Sequence, residues 1–173
     1  MKKLQINKKH IGIALVLIII LIVAFVILLS RGTEITLENF PKKIGDYRLT
    51  DVQTIEKNSE ISTIVGQKIS RTFISNFKGS SANVTLWILV PTNSYKQTII
   101  ANMLAASMSR KTDMFYTFTS ITEGGFPVVT FTGPGEVVHN YIFFKSGKVF
   151  WLSIESNGGV NERFVFKDFF TQF

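Results

Sequence analysis

The chain opens on a stretch with almost no polar positions. Ile11 to Leu29 (IGIALVLIIILIVAFVILL) runs nineteen residues without a charge, a proline or a strong polar group. At about 1.5 Å rise per residue, a helix of that length just crosses a bilayer core of roughly 30 Å. The run is apolar all round, so it does not read as a helix packed by one face onto a soluble core. Beyond it the pattern changes to short alternating segments punctuated by glycine. Residues 30–39 read as a short stalk, and residues 40–173 as one folded domain without a repeat.

Period-two alternation predicts most of that domain. Gly45-Asp46 starts a strand over Tyr47–Ile55, and Asn58-Ser59-Glu60 caps a short helix through Val65 that Gly66 ends. Lys68–Phe77 (KISRTFISNF) alternates with Ile69, Phe73 and Phe77 on one side, and Lys78-Gly79-Ser80-Ser81 makes a turn. In the return strand, Asn83–Val90 (NVTLWILV), one face carries Val84, Leu86, Ile88 and Val90. The other carries Thr85, Trp87 and Leu89. A strand apolar on both faces belongs at the centre of a sheet covered on both sides.

The period then lengthens. Pro91 stops the strand, and Ser94 with Gln97 three residues later forms a capping box. Tyr95, Ile99, Ile100, Met103, Leu104 and Met108 line one helical stripe, where the methionines read as core filler. Residues 115–155 return to alternation as four antiparallel strands: Phe115–Thr122, Phe126–Thr132, Glu136–Phe144 and Lys148–Glu155. Their turns are Glu123-Gly124-Gly125, Gly133-Pro134-Gly135 and Ser146-Gly147. After Gly158-Gly159 a last amphipathic helix is expected, with Val160, Phe164, Phe169 and Phe173 inward. Neighbouring strands joined by tight turns, with helices laid on them, make an α+β domain.

Charge adds a direction to this layout. Lys2, Lys3, Lys8 and Lys9 precede the apolar run, whereas only Arg31 follows it closely. Lysine and arginine stay on the cytoplasmic side, which predicts a cytoplasmic basic tail (1–10), a transmembrane signal anchor (11–29) and an outward-facing domain. A cleaved signal peptide would carry a shorter apolar core and small residues at its processing site. Here Ser30-Arg31-Gly32 places an arginine there. The four lysines also suit an anionic inner leaflet, so the bilayer is the first expected partner. Without them, 15 basic and 12 acidic residues remain in the outer domain, an ordinary surface that does not predict nucleic-acid binding.

The chain has no cysteine, which excludes disulfides, thiolate catalysis and cysteine metal sites. The outer domain must therefore hold by packing, and fifteen of the sixteen phenylalanines lie outside the membrane run. Catalytic groups are sparse. His10 falls beside the anchor, and His139 is the one histidine of the outer domain. Glu136, three residues before it on the same strand, points to the opposite face and makes no acid–base pair. No nucleophile elbow, phosphate loop or metal-ligand spacing occurs, and no cofactor is expected. Gly133-Pro134-Gly135 lacks the lysine and helix of a phosphate loop and reads as a turn.

Three further features carry weaker signals. Asn83-Val84-Thr85 is an N-glycosylation acceptor pattern at Asn83, relevant in a glycosylating host. Trp87 and Trp151, with the phenylalanines, suit either core packing or the wall of a pocket for a small apolar ligand. Together with His139 they are the candidate ligand or partner surface.

The segments FPKKIGDYRL, SNFKGS, VTLWILV, the Ala/Met-rich helix, and FPVVTFTGPG leading into HNYIFFKSGKVFWLSIES follow a familiar rhythm. Across residues 40–173 it resembles the small single-anchor extracytoplasmic domains of archaea whose sandwich is PsbP-like. That resemblance implies the fold and the location, and by analogy a binding or accessory role; it carries no functional residue with it. The layout is also similar to archaeal pilin-like and archaellum stator proteins, which place a β-rich domain after an amino-terminal apolar helix. Lys9-His10-Ile11-Gly12 departs from the basic-then-glycine site of processed pilins. The expectation is a membrane-anchored, non-catalytic binding domain of the cell envelope with an unidentified protein partner.

Overall fold

The computed structural model describes residues 35–55, 64, 68–93, 97–111, 114–133, 137–156, 158–159 and 161–173. The predicted anchor 11–29, its basic tail, the helix cap at Asn58, Ser94 and Glu136 lie outside these residues. Among the described residues no helix is long and apolar enough to cross a membrane.

The compact unit runs from Ile35 to Phe173. Its strands are β1 (Lys43–Ile44), β2 (Tyr47–Ile55), β3 (Ile69–Lys78), β4 (Ala82–Pro91), β5 (Tyr116–Glu123), β6 (Phe126–Thr132), β7 (Val138–Lys145) and β8 (Lys148–Ser156). The helices are α1 (Gln97–Ser109), between β4 and β5, and α2 (Glu162–Gln172), after β8. All eight strands join one antiparallel sheet in the order β1-β2-β3-β4-β8-β7-β6-β5. Two meanders, β1–β4 and β5–β8, thus meet where β4 pairs with β8.

That seam lies mid-sheet, as the two-faced apolar pattern of β4 requires. Val84, Leu86 and Ile88 of β4, with Phe150, Leu152 and Ile154 of β8, pack toward α2. Leu89 and Val149 point the other way, toward α1. The α2 side holds the larger core, including Phe40, Phe73, Phe77, Phe143, Phe166, Phe169 and Phe170. On the α1 side Ile100, Ala101, Leu104 and Met108 cover Phe131, Ile142 and Val149. Among the described residues, the architecture is therefore a sheet with α1 laid on one face and α2 on the other.

Two-residue turns fix the registers. In the β5–β6 turn Gly124 and Gly125 both have positive φ (56° and 82°), and in the β7–β8 turn so do Ser146 and Gly147 (49° and 76°). Such turns match the twist of the strands they join. The β7–β8 tip also ties down the end of α2. Lys145 Nζ donates to the Phe170 carbonyl at 2.7 Å and lies over the Phe170 ring at 4.6 Å. A cation there suits the negative end of the helix, while burial lowers the Lys145 pKa below its ordinary value.

Three expectations are corrected. Ile69 does not share a face with Phe73 and Phe77. A bulge between Ile69 and Arg71 inserts a residue and turns Ile69 toward the α1 core. In α1, Ile99 is 49% exposed, because the buried stripe runs through Ile100, Ala101, Leu104 and Met108. In α2 the inward residues are Val165, Phe166, Phe169 and Phe170, while Phe164 is 67% exposed. Phenylalanine at 164, 166, 169, 170 and 173 offers several stripes of similar apolarity. The Asn161 cap sets where the helix starts, and packing on the sheet buries the stripe Val165, Phe166, Phe169 and Phe170.

Fully buried Phe169 touches Tyr47 and, edge-on at 5.0 Å, Phe77. Phe169→Ala is expected to destabilise the domain by about 3–5 kcal/mol in urea unfolding. Phe164→Ala on the same helix should stay within about 0.5 kcal/mol of the parent. Gly79→Ala should also destabilise, because an added Cβ would lie 2.5 Å from the ring of buried Tyr47.

Candidate functional site

A groove of ≈ 240 Å³ opens on the α2 side of the sheet, over β5, β6 and β7 and beside the start of α2. Its wall is unusually rich in threonine. Thr119 of β5 and Thr130 of β6 are direct cross-strand partners, and their hydroxyls lie 2.6 Å apart. Thr130 in turn pairs with Tyr141 of β7, and Thr132 pairs with His139. Side chains two residues apart on one strand share a face, so these pairings gather hydroxyls, a phenol and an imidazole in one place.

Thr117 completes the row in an uncommon conformation. Its φ is +55°, the left-handed region, at the register shift between Tyr116 and Thr119. A β-branched residue is strained there, by about 1–3 kcal/mol. The cost is maintained at the lip of the groove, where the bulge re-aims the threonine.

The head of α2 supplies the charges. Asn161 caps the helix by accepting from the Arg163 backbone N–H at 3.1 Å. This start places Glu162 beside His139, with Oε1 3.6 Å from Nε2, both side chains mostly buried. It also places Arg163 on the groove, 3.9 Å from Glu123 at the end of β5. Lys167, one turn further along, is 4.0 Å from the same carboxylate. The glutamate that meets His139 is thus Glu162, from another element, with nothing in the local sequence of β7 to announce it.

Tyr141 stacks on Phe166 with ring centroids 4.4 Å apart and planes 10° from parallel. Burial, and secondarily the Glu162 carboxylate, push its phenol up to about 12, against the opposing pull of Arg163. At neutral pH the groove therefore presents a neutral phenol, threonine hydroxyls that can donate or accept, and one guanidinium. That chemistry fits hydrogen-bonded recognition of a polar surface.

The remaining predicted site residues lie elsewhere. Trp87 and Trp151 are register partners on β4 and β8, on the α1 side. Their rings stack at 4.6 Å, and Trp151 Nε1 donates to Asn140 Oδ1 at 3.0 Å. Each indole spends one face on the other, so the pair works as packing between the strands. His139 belongs to the opposite face, and the three do not form one surface. Asn83 is exposed at the start of β4, next to the β3–β4 turn. The hydroxyl of Thr85 in the same pattern donates to Asn76 Oδ1 at 3.0 Å. Among the described residues, no three histidine, aspartate or glutamate side chains converge as metal ligands.

The phenol gives a pH test. Its pKa is raised from 10.0 in the folded state, so between pH 10 and about 12 the folded chain keeps a proton that the unfolded chain loses. Stability from this group is complete below pH 10 and falls as pH rises toward 12. Urea midpoints should drop less steeply between pH 9.5 and 11 in Tyr141→Phe than in the parent. An identical slope would show that the phenol titrates normally.

No family model, curated protein or solved structure matches this chain. What the groove does has to be read from its own chemistry.

Proposed function

We propose that the chain is a membrane-anchored, outward-facing domain of the cell envelope that binds a protein partner without catalysis, through the threonine groove at the head of α2. The anchor rests on the apolar run Ile11–Leu29 behind four lysines, long enough to span and oriented by charge. The finer fold reading, a PsbP-like sandwich, is supported by the sheet with a helix on each face.

The observation that carries the binding role is the groove itself. Strained Thr117, the Thr119–Thr130 pair, Tyr141 and Arg163 converge there from four elements. His139 is turned to Glu162, and on the same wall the Thr119 and Thr130 hydroxyls bond across β5 and β6, an arrangement suited to holding a surface. A polar partner with carbonyl acceptors and a weakly acidic patch would offer the hydroxyls further hydrogen bonds and the guanidinium a second counter-charge.

Two measurements test this. Protease added to intact cells should digest residues beyond Arg31 while sparing cytoplasmic markers; protection of the domain would overturn the orientation. Cross-linking in membranes, followed by recovery of the chain, should return a partner. Losing one hydrogen bond costs roughly 1 kcal/mol, about fivefold in affinity, so Thr130→Val should reduce that recovery and Arg163→Glu should reduce it further. Recovery of the chain alone, or equal recovery by all three proteins, would overturn the binding role.

A further inference from the structure

The two outer strands of the sheet differ in how they meet solvent. A strand edge presents unpaired backbone N–H and C=O groups, and proteins commonly guard it with lysine, other charges or proline. At one side of this sheet, β1 and β2 display Lys42, Lys43, Arg48 and Asp51, all exposed. At the other side lies β5, eight residues long, with β6 as its bonded neighbour. Its sequence, YTFTSITE, has no lysine and no proline, and its bulge at Thr117 lies before the stretch Thr119–Glu123 that keeps regular register. Its one charge, Glu123, sits at the end and is already near Arg163 and Lys167. Thr119, Ser120 and Thr122 are exposed, and half-buried Phe118 stacks on Phe131 at 4.8 Å.

We propose that β5 is a pairing edge for a second copy of this chain, joined antiparallel about a twofold axis through Ser120. An antiparallel pair related by a twofold keeps like faces together and gives a closed, self-complementary interface. Centred on Ser120, the register sets Ser120 opposite Ser120, Thr119 opposite Ile121, and Phe118 opposite Thr122. Threonine against β-branched or aromatic neighbours is a favourable cross-strand pairing. The arrangement opposes no like charges. Each Glu123 falls six positions along the strand from its symmetry mate, about 20 Å, well beyond the screening length of roughly 8 Å. The β1–β2 edge, with three cations close together, lacks this self-complementarity. The two sheets would become one, with both threonine grooves on the same face. The proposal does not depend on what the groove binds.

The absence of native cysteine makes the test clean, because Ser120→Cys carries the only thiol of the full chain. In nanodiscs, facing Cα atoms of an antiparallel pair are within about 5.5 Å and can be joined by a disulfide or a short bifunctional thiol reagent. Ser120→Cys is expected to cross-link at least about tenfold faster than Thr98→Cys, on the exposed side of α1, since only the former thiols are held together. Adding Thr122→Lys, at an exposed position outside the groove, should abolish the cross-link and return the mass to that of one copy. A monomeric parent chain would overturn the proposal. So would a dimer in which Ser120→Cys reacts no faster than Thr98→Cys, or one that Thr122→Lys leaves intact.

Discussion

The pairing of β4 with β8 governs the rest of the molecule because both strands are apolar on both faces. Leu86 and Leu152 point one way, and Leu89 and Val149 the other, all without solvent exposure. A sheet with such strands at its centre needs a cover on each side, which α1 and α2 provide. Each strand must also be flanked within the sheet, which the two meanders accomplish. With no cysteine to cross-link anything, area removed from water is the main source of stability, at roughly 25 cal/mol per Å². The aromatic rings around Phe166 and Phe169 concentrate that area where α2 crosses the seam.

The site inherits its geometry from the same packing. α2 can present Glu162 and Arg163 at the groove because Phe166, Phe169 and Phe170 anchor its inner face, while Asn161 fixes its first turn. At its other end the β7–β8 tip holds the Phe170 carbonyl through Lys145. The groove is thus set by a helix fixed at both ends. The sheet side supplies hydroxyls in a register that the Gly124-Gly125 turn determines.

Most of the sheet was legible in the sequence. Tyr47–Ile55 and Phe126–Thr132 coincide with β2 and β6, and the other long strands shift by at most two residues at either end. Alternation and glycine turns are local signals, and antiparallel hairpins are local structures. What local pattern cannot carry is non-local. The two-residue β1 is too short to show a period. The bulge that turns Ile69 over leaves no mark in hydrophobicity. The buried face of α2 is ambiguous in the sequence because its phenylalanines fit more than one stripe. The groove was hidden for a similar reason: His139 could be singled out, but Glu162 and Arg163 reach it from a separate helix. One signal was available. Thr119, Thr130 and Thr132 fall on strands joined by a two-residue turn, which already aligns them on one face, whereas Thr117 joins them through a bulge.

The position of α2 in the chain has a consequence for folding order. The larger of the two cores closes only when α2, which follows β8, docks, and β4 waits through the whole of α1 and three intervening strands for β8. Until then the first meander carries an unpaired edge with apolar side chains on both faces. Long-range pairing of this kind slows folding relative to local contacts and leaves adhesive surface exposed during the delay. While α2 is undocked, the larger apolar face of the sheet, from Phe73 to Phe150, stays open to any other apolar surface it meets.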